Sequence, residues 1–525
     1  MRIHPFVGLS LIAVLILPVI LLYPFHGDNH TYQSMAVVLV RYHGLPYLAS
    51  WDQNFPGIIL FHAAAIELFG NSESGFRLIE YLVQVGCVLA LYRVCRLWLS
   101  PATSLLSCIL YAAQYVSGPI LLMGQREGFA TPILLLYTYL IIDSSRAAES
   151  HTLDTRGMLR FASAGIVLGC AAVIRPTFAL FLFPPFLSVA DIRTSTGRKS
   201  FVAVVAGFLL TLGIVILPYA TTTDGLRQLY LTVIRFNLDV YGGMFERSLV
   251  ANRAYVLLAF ILFWSGVVLL NRVRNRHIAQ APSRVSERWY IVLSVASAII
   301  GIIVMRKFYG YHFIVVFALL IPVLTTLLVD WASSGVTWRS ILLALIIGTV
   351  AIVSGPVKLA QHFLIGPPKA ANTNSANAGD PNLGEIPEQE VAKYINGQTS
   401  GSDKVEFASY SAAIKWRLRA RPVTRFTTMF PLVTPQRNGE FTSYQREWRS
   451  EFVETIRRER PKLVVLQALR LNPFVPDSVT TLPVMLDLPG FRELLLQRYH
   501  LDTVLKRCYI YREYSSVTGE SPSAR

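Results

Sequence analysis

Two stretches of this sequence gather side chains that do chemistry where apolar residues otherwise dominate. The first is His26-Gly27-Asp28-Asn29-His30-Thr31-Tyr32, at the end of an apolar run from Phe6 to Phe25. A carboxylate there can act as a general base if it is partly shielded from water and close to a bound hydroxyl. It can equally cap the helix that follows by accepting from free N–H groups. The second stretch is Met123-Gly124-Gln125-Arg126-Glu127-Gly128, between two further apolar runs. Charges in such a place are costly unless they pair or work on a ligand. Arg126 is a residue type that holds phosphate, and Glu127 one that orients a hydroxyl or a cation. A local ion pair sealing a helix turn is the plain alternative.

Further cations lie at comparable places. Arg175-Pro176 ends another apolar run, where an arginine either snorkels to the interface or binds phosphate. In Arg306-Lys307-Phe308-Tyr309-Gly310-Tyr311-His312, the tyrosines alone would read as an aromatic belt. Arg306, Lys307 and His312 beside Tyr309 and Tyr311 instead suit an anionic lipid headgroup. Asp52 and Asn54 are pocket candidates in the first loop, with solvated loop side chains as the alternative. Glu67, Arg77 and Glu80 read as structural contacts near the interface. No phosphate-cradling glycine loop, HExxH pattern or nucleophile elbow stands out. Cys87, Cys95, Cys108, Cys170 and Cys508 form neither a disulfide framework nor a zinc spacing. No cofactor is expected, and no residue pattern supports a divalent metal.

The elements that must position these groups follow from composition. The chain has 525 residues, 53% hydrophobic and 15% charged, which fits a polytopic α-helical membrane protein. Its first apolar run is too long for a cleaved signal peptide, and no small-residue cleavage site follows. The net charge of +16 sits largely in short loops between apolar runs, as topology signals do, and not in a nucleic-acid footprint. About eleven spans are expected, at 6–25, 75–98, 102–122, 127–142, 160–174, 177–190, 201–219, 253–271, 288–305, 309–330 and 339–357. The fifth and sixth are separated by Arg175-Pro176, with one kinked helix as the alternative. Basic residues on alternate loops, such as Arg93, Arg96, Arg193, Arg198, Lys199, Arg272 and Arg274, mark the cytoplasmic side. That orientation puts Asp28, Arg126, Arg175 and the 306–312 stretch outside the cytoplasm of a bacterial-type plasma membrane. An odd span count puts the C-terminus there too.

Residues 1–365 are therefore read as the membrane domain, with a first outer loop at 26–74. Within that loop, Tyr32, Met35, Leu39 and Tyr42 fall at near-helical spacing, which suits a helix lying in the interface. Residues 56–70 read as a re-entrant or interfacial helix. A Pro-, Ala-, Asn- and Gly-rich linker is expected at 366–384. A small soluble α/β domain follows at 385–514, and a disordered tail at 515–525. Its strongest signal is an amphipathic helix at 441–460 with Tyr444, Trp448, Phe452 and Ile456 on one face. Strands are expected at 404–410, 461–466 and 504–511.

This order of features resembles the GT-C glycosyltransferases that use polyprenyl-phosphate sugars, specifically the family 39-like group of protein O-mannosyltransferases and lipid A aminoarabinose transferases. The resemblance lies in the acid after the first span and the helix leading to Gly44-Leu45-Pro46-Tyr47. It continues through Phe55-Pro56-Gly57, Leu68-Phe69-Gly70, Arg77-Leu78, the stretches from Gly169 to Pro176 and from Tyr309 to Pro322, and the soluble C-terminal domain. It implies transfer of a sugar, with inversion, from a polyprenyl phosphate to a hydroxyl of a glycolipid, polysaccharide or protein. Asp28 matches the family's first-loop acid, taken there as the base. Two departures stand out. Asn54-Phe55-Pro56-Gly57 replaces an acidic-Lys-Pro-Pro segment, so Arg126, Arg175 or Lys307 is left to supply that cation. Asn29 follows Asp28 where a second acid is common. A transporter or flippase for a lipid-linked saccharide is the alternative, and it calls for internal repeats and ionisable groups deep in several spans. No repeat is evident.

Overall fold

The computed structural model describes residues 4–118, 122–150, 154–188, 193–242, 285–305, 309–333, 337–365, 388–468 and 481–514. Its main helices run α1 (Pro5–Leu15), α2 (Asp28–Tyr42), α3 (Gly57–Phe69), α4 (Glu73–Cys95), α5 (Pro101–Ser117), α6 (Arg126–Ser150), α7 (Thr155–Ile174), α8 (Ser195–Ala220), α9 (Val285–Val304), α10 (Ile314–Ser333) and α11 (Thr337–Ile352). Contacts divide the chain into two compact units, each assembled from segments distant in sequence. The first holds Met1–Phe25, Asn54–Thr223 and Phe245–Lys369; the second holds His26–Gln53, Asp224–Met244 and Ala370–Arg525.

The described secondary structure of the first unit is all helical, joined by short turns and loops. Among the described residues, six helices are long and apolar enough to cross a membrane: Pro5–Leu22, Glu73–Cys95, Arg126–Ala148, Thr155–Ile174, Ser195–Ala220 and Gly310–Ser333. Shorter helices stand at four more expected spans, namely α5, Pro176–Leu187, Trp289–Val304 and α11. The expected span at 253–271 lies outside the described residues. Prolines sit inside α6, α8 and α10 (Pro132, Pro218 and Pro322), which membrane helices tolerate because neighbours re-satisfy the freed carbonyls. Between the fifth and sixth expected spans the chain breaks and does not merely kink. Arg175 is extended, at φ −152° and ψ 111°, and Pro176 opens a separate 3-10 helix, Pro176–Leu182. The proline ring disfavours the α region for the residue before it.

The second unit differs from the expected domain division, which keeps all of 26–74 with the membrane part. Here His26–Gln53 belongs with the C-terminal residues. Trp51 explains why: it packs edge-on against Phe236 at 5.0 Å and Trp448 at 5.9 Å, inside a core shared with Met429, Phe430 and Phe452. Helix α2 is correspondingly not an interfacial helix with one wet face. Asn29, Gln33 and Ser34 are buried along with Tyr32, Met35 and Ala36. Its polar groups find protein partners: the Trp416 indole donates to His30 Nδ1 at 3.1 Å, and Ser34 donates to the His30 carbonyl at 2.9 Å.

The remainder of this unit is a five-stranded mixed sheet of order β2-β1-β3-β5-β4, from β1 (Lys404–Ala408), β2 (Arg421–Pro422), β3 (Leu463–Gln467), β4 (Tyr499–Leu505) and β5 (Cys508–Glu513). Strands β1, β2 and β3 are parallel, and β3, β5 and β4 antiparallel. Alternation along β3 fills two cores. Leu463 and Val465 face α12 (Glu388–Gln398) through Val391 and Ile395, while Val464 and Leu466 join the core around Trp448. Helix α13 (Ser443–Glu459) forms where the amphipathic pattern lies, closed by a Thr442–Gln445 capping box, with Tyr444, Trp448, Phe452 and Ile456 buried. Burying side chains of this size stabilises by roughly 1.5–3 kcal/mol each. The stretch read as one strand at 504–511 is a hairpin. Lys506 and Arg507 turn it at φ +50° and +64°, with no Gly or Asn to signal the turn. The Cys508 thiol is buried and pushed up to about 12 by that burial, so it is inert. The expected linker at 366–384 and the tail at 515–525 lie outside the described residues.

Candidate active site

Three elements of the first unit deliver the charged groups. Gly124, at φ +70°, makes the turn that starts α6, a conformation strained for any residue with a Cβ. Arg126 and Glu127 then open the helix, where the macrodipole favours a carboxylate. Arg175 projects from the break after α7. Helix α3 packs so closely there that a Cβ on Gly57 would lie 2.7 Å from the Ile174 nitrogen. His312 comes from the 3-10 turn Gly310–Phe313 that leads into α10.

These groups converge. Glu127 Oε1 accepts a hydrogen bond from Arg175 Nη1, and His312 Nε2 lies 3.6 Å from the same oxygen. Glu127, Arg175 and His312 are 0, 2 and 2% exposed. Arg175 also directs Nε at the Met305 sulfur, 3.1 Å away, and stacks over Phe178 at 5.4 Å. The rings of Tyr309 and Tyr311 stack at 5.3 Å, and Tyr311 meets His312 edge-on at 4.6 Å. Gln125 and Arg126 are buried beside Glu127 in the chain. The pairing is incomplete: among the described residues, Glu127 Oε2, Arg175 Nη2 and Gln125 Oε1 are buried with no hydrogen-bond partner. Unsatisfied buried polar atoms are rare because each costs ~1–3 kcal/mol, more when charged. Such a cluster can take up a polar ligand or an ordered water. Arg126 and Arg175 carry guanidinium groups, the side chains best shaped to bind a phosphate.

Of the residues expected in the site, Glu127, Arg175, His312, Tyr309 and Tyr311 are thus brought together, with Arg126 adjacent. Asn54 is buried in the same unit. Asp28 and Asp52 belong to the second unit. Asp28 is not the cap of α2: Gly27 holds that position at φ +44°, and Asp28 is the first helical residue, half-buried. Asp52 and Asn54 are 5 and 7% exposed, so they are not solvated loop groups. Arg306 and Lys307 lie outside the described residues. Arg77 and Glu80, read as interfacial, are fully buried inside the first unit, whereas Glu67 is exposed. Sequence reasoning missed Gln84, Tyr111 and Tyr115, which with Glu80 hold the turn before α6. Their signal was available: Arg77, Glu80 and Gln84 recur at i, i+3 and i+7 on one face of an apolar span. Among the described residues no three His, Cys, Asp or Glu side chains gather as metal ligands.

These features define a membrane protein with a buried, anion-suited polar cluster. The dolichyl-phosphate-mannose-protein mannosyltransferase family matches residues 54–222, the stretch that carries Glu127 and Arg175. ArnT from Cupriavidus metallidurans in the apo state has the same fold, with a TM-score of 0.56 at 10% identity over 98% of this chain and 97% of that one. The same protein bound to undecaprenyl phosphate gives 0.54 at 11% identity, over 98% of each chain. No curated protein sequence matches the chain. The chain thus shares the ArnT fold, and its residues 54–222 are similar to the mannosyltransferase family named in the sequence resemblance.

Proposed function

We propose that this protein is a membrane glycosyltransferase that moves a sugar from a polyprenyl phosphate to an acceptor hydroxyl. The observation that carries this reading is the buried Glu127–Arg175–His312 cluster with its unsatisfied atoms, inside the segment that matches a mannosyltransferase family. A fold shared with a protein solved with undecaprenyl phosphate bound supports the donor class. In this reading Arg126, Arg175 and His312 hold the phosphate, and Glu127 orients Arg175 and the bound sugar. Tyr309, Tyr311 and Asn54 line the substrate pocket.

The acceptor oxygen attacks the anomeric carbon as the bond to the phosphate oxygen breaks. The phosphate departs with the electron pair, and the hydroxyl proton passes to Asp28. A single attack from the side opposite the leaving group inverts the anomeric centre. A positioned base contributes ~10²–10⁴-fold, and fixed cations stabilise the charge that develops on the leaving phosphate. The chemistry and the C-terminal domain sit on the extracytoplasmic face of a plasma membrane. The acceptor belongs to a cell-envelope glycolipid, polysaccharide or protein.

The test is transfer by purified protein in micelles, from a panel of polyprenyl-phosphate hexoses and pentoses to envelope extracts. Product is expected from the wild type, and Asp28→Asn should reduce it at least a hundredfold with membrane insertion intact. Near-normal transfer by that variant removes Asp28 as base. No transfer from any donor, together with movement of lipid-linked saccharide across vesicles, would replace the enzyme reading with the transporter.

A further inference from the structure

The geometry points to Glu80 as a positioning residue for the turn that presents Arg126 and Glu127. This rests on reading that turn as part of the donor site. Glu80 is fully buried on α4, and three donors converge on its carboxylate. Oε2 accepts from Arg77 Nη1 at 2.5 Å. Oε1 accepts from the Tyr115 hydroxyl at 2.7 Å and from the Gly124 N–H at 2.6 Å. One turn further along α4, Gln84 Nε2 donates to the Gly128 carbonyl at 3.0 Å, while Gln84 Oε1 accepts from Tyr111 at 2.9 Å. The backbone groups on either side of Gln125-Arg126-Glu127 are therefore held by two side chains at i and i+4 of a single helix, ~6 Å apart along its axis.

The same ion pair reaches a third segment. Arg77 Nε donates to the Tyr23 carbonyl at 2.9 Å, and Nη2 to the Pro24 carbonyl at 2.7 Å. Residues 23 and 24 end the first span, four to five positions before Asp28. Arg77–Glu80 thus ties the end of the first span, α5 and the start of α6 to α4. The contrast with the site is chemical. Every buried polar atom of Arg77 and Glu80 has a partner, whereas among the described residues Glu127, Arg175 and Gln125 each keep one without. Each nitrogen of Arg77 and each carboxylate oxygen of Glu80 is already engaged with protein. A charged acceptor for the Gly124 N–H makes that bond stronger than a neutral one and holds a turn whose left-handed glycine would otherwise be soft. Displacing reacting groups by ~1 Å can cost about 10²-fold in rate, so a clamp of this kind acts on the chemistry without touching substrate.

The experiment measures hydrogen–deuterium exchange and undecaprenyl phosphate binding on full-length protein in micelles, for Glu80→Ala, Glu80→Gln and Gln84→Ala. Glu80→Ala should raise exchange in the 122–130 segment with little change elsewhere in α4, α5 and α6, and weaken binding at least tenfold. Glu80→Gln keeps an oxygen for the Gly124 N–H, so it should restore binding to within about threefold of wild type. Gln84→Ala should loosen the same segment from its other end, which keeps the test alive if Glu80→Ala does not fold. Unchanged exchange at 122–130 in all folded variants overturns the clamp. So does exchange that rises equally across the three helices, since that is what a merely structural pair would give. If the wild type fails to bind undecaprenyl phosphate, the functional reading is what fails, and the exchange pattern still decides the clamp.

Discussion

Glu127 and Arg175 are coupled, and removing one leaves the other buried and uncompensated. Breaking a buried pair by removing one partner costs about 3–5 kcal/mol. Arg175→Gln alone should therefore lower the thermal midpoint in detergent more than the double variant Glu127→Gln/Arg175→Gln, while all of them lose phosphate binding. Equal midpoints for single and double variants would mean the two residues do not share their charge. Arg175→Lys is a sharper probe. It keeps the charge and loses the planar fork that serves Glu127 on one nitrogen and leaves Nη2 for a ligand. Donor affinity should fall at least tenfold, measured by undecaprenyl phosphate titration. At this scale the sequence singled out Glu127, Arg175 and His312, which the structure brings together. Asp28 reads equally as cap or base until Gly27 is seen in the cap position. Asp52 and Asn54 look like solvated loop groups until their burial is known.

Elements were legible where the pattern was periodic. The apolar runs became helices, and the 3.6-residue stripe at 441–460 became α13. The β4–β5 hairpin was not legible, because its turn uses Lys506 and Arg507 where φ > 0 favours Asn and Gly. A left-handed backbone costs a residue with a Cβ on the order of 1–2 kcal/mol. Lys506→Asn/Arg507→Gly should consequently raise the unfolding free energy of the second unit, read as a higher denaturant midpoint, by on the order of 1 kcal/mol. An unchanged or lower midpoint would show that these two side chains contribute more than the turn strain removes. The Arg175-Pro176 break is the complementary case. Proline announces a boundary in the sequence, and the extended Arg175 backbone turns it into a way of projecting a guanidinium.

Across the whole molecule, the second unit has a discontinuous core. Trp51, Phe236 and Trp448 come from three segments separated by long stretches of the first unit. Asn237 adds a bond to the Gln53 carbonyl at 2.7 Å, and Arg425 adds one to the Tyr47 carbonyl at 2.8 Å. A chain ending after residue 365 should leave the first loop without its packing partners, and chymotrypsin should then cut at 43–53 where the full chain resists. An unchanged digestion pattern would mean the loop holds its shape alone. By itself the sequence determined the class of protein, the apolar helices and the charged residues that interrupt them. Hydropathy and periodicity are local properties, and a charge in an apolar run demands a partner or a ligand whatever the fold. Only the tertiary structure decided which partner: Arg175 for Glu127 across 48 positions, Gly124 for Glu80 across 44, and the C-terminal sheet domain for the first loop. Those pairings are set by how helices and strands pack against one another, and no short window of the chain contains that information.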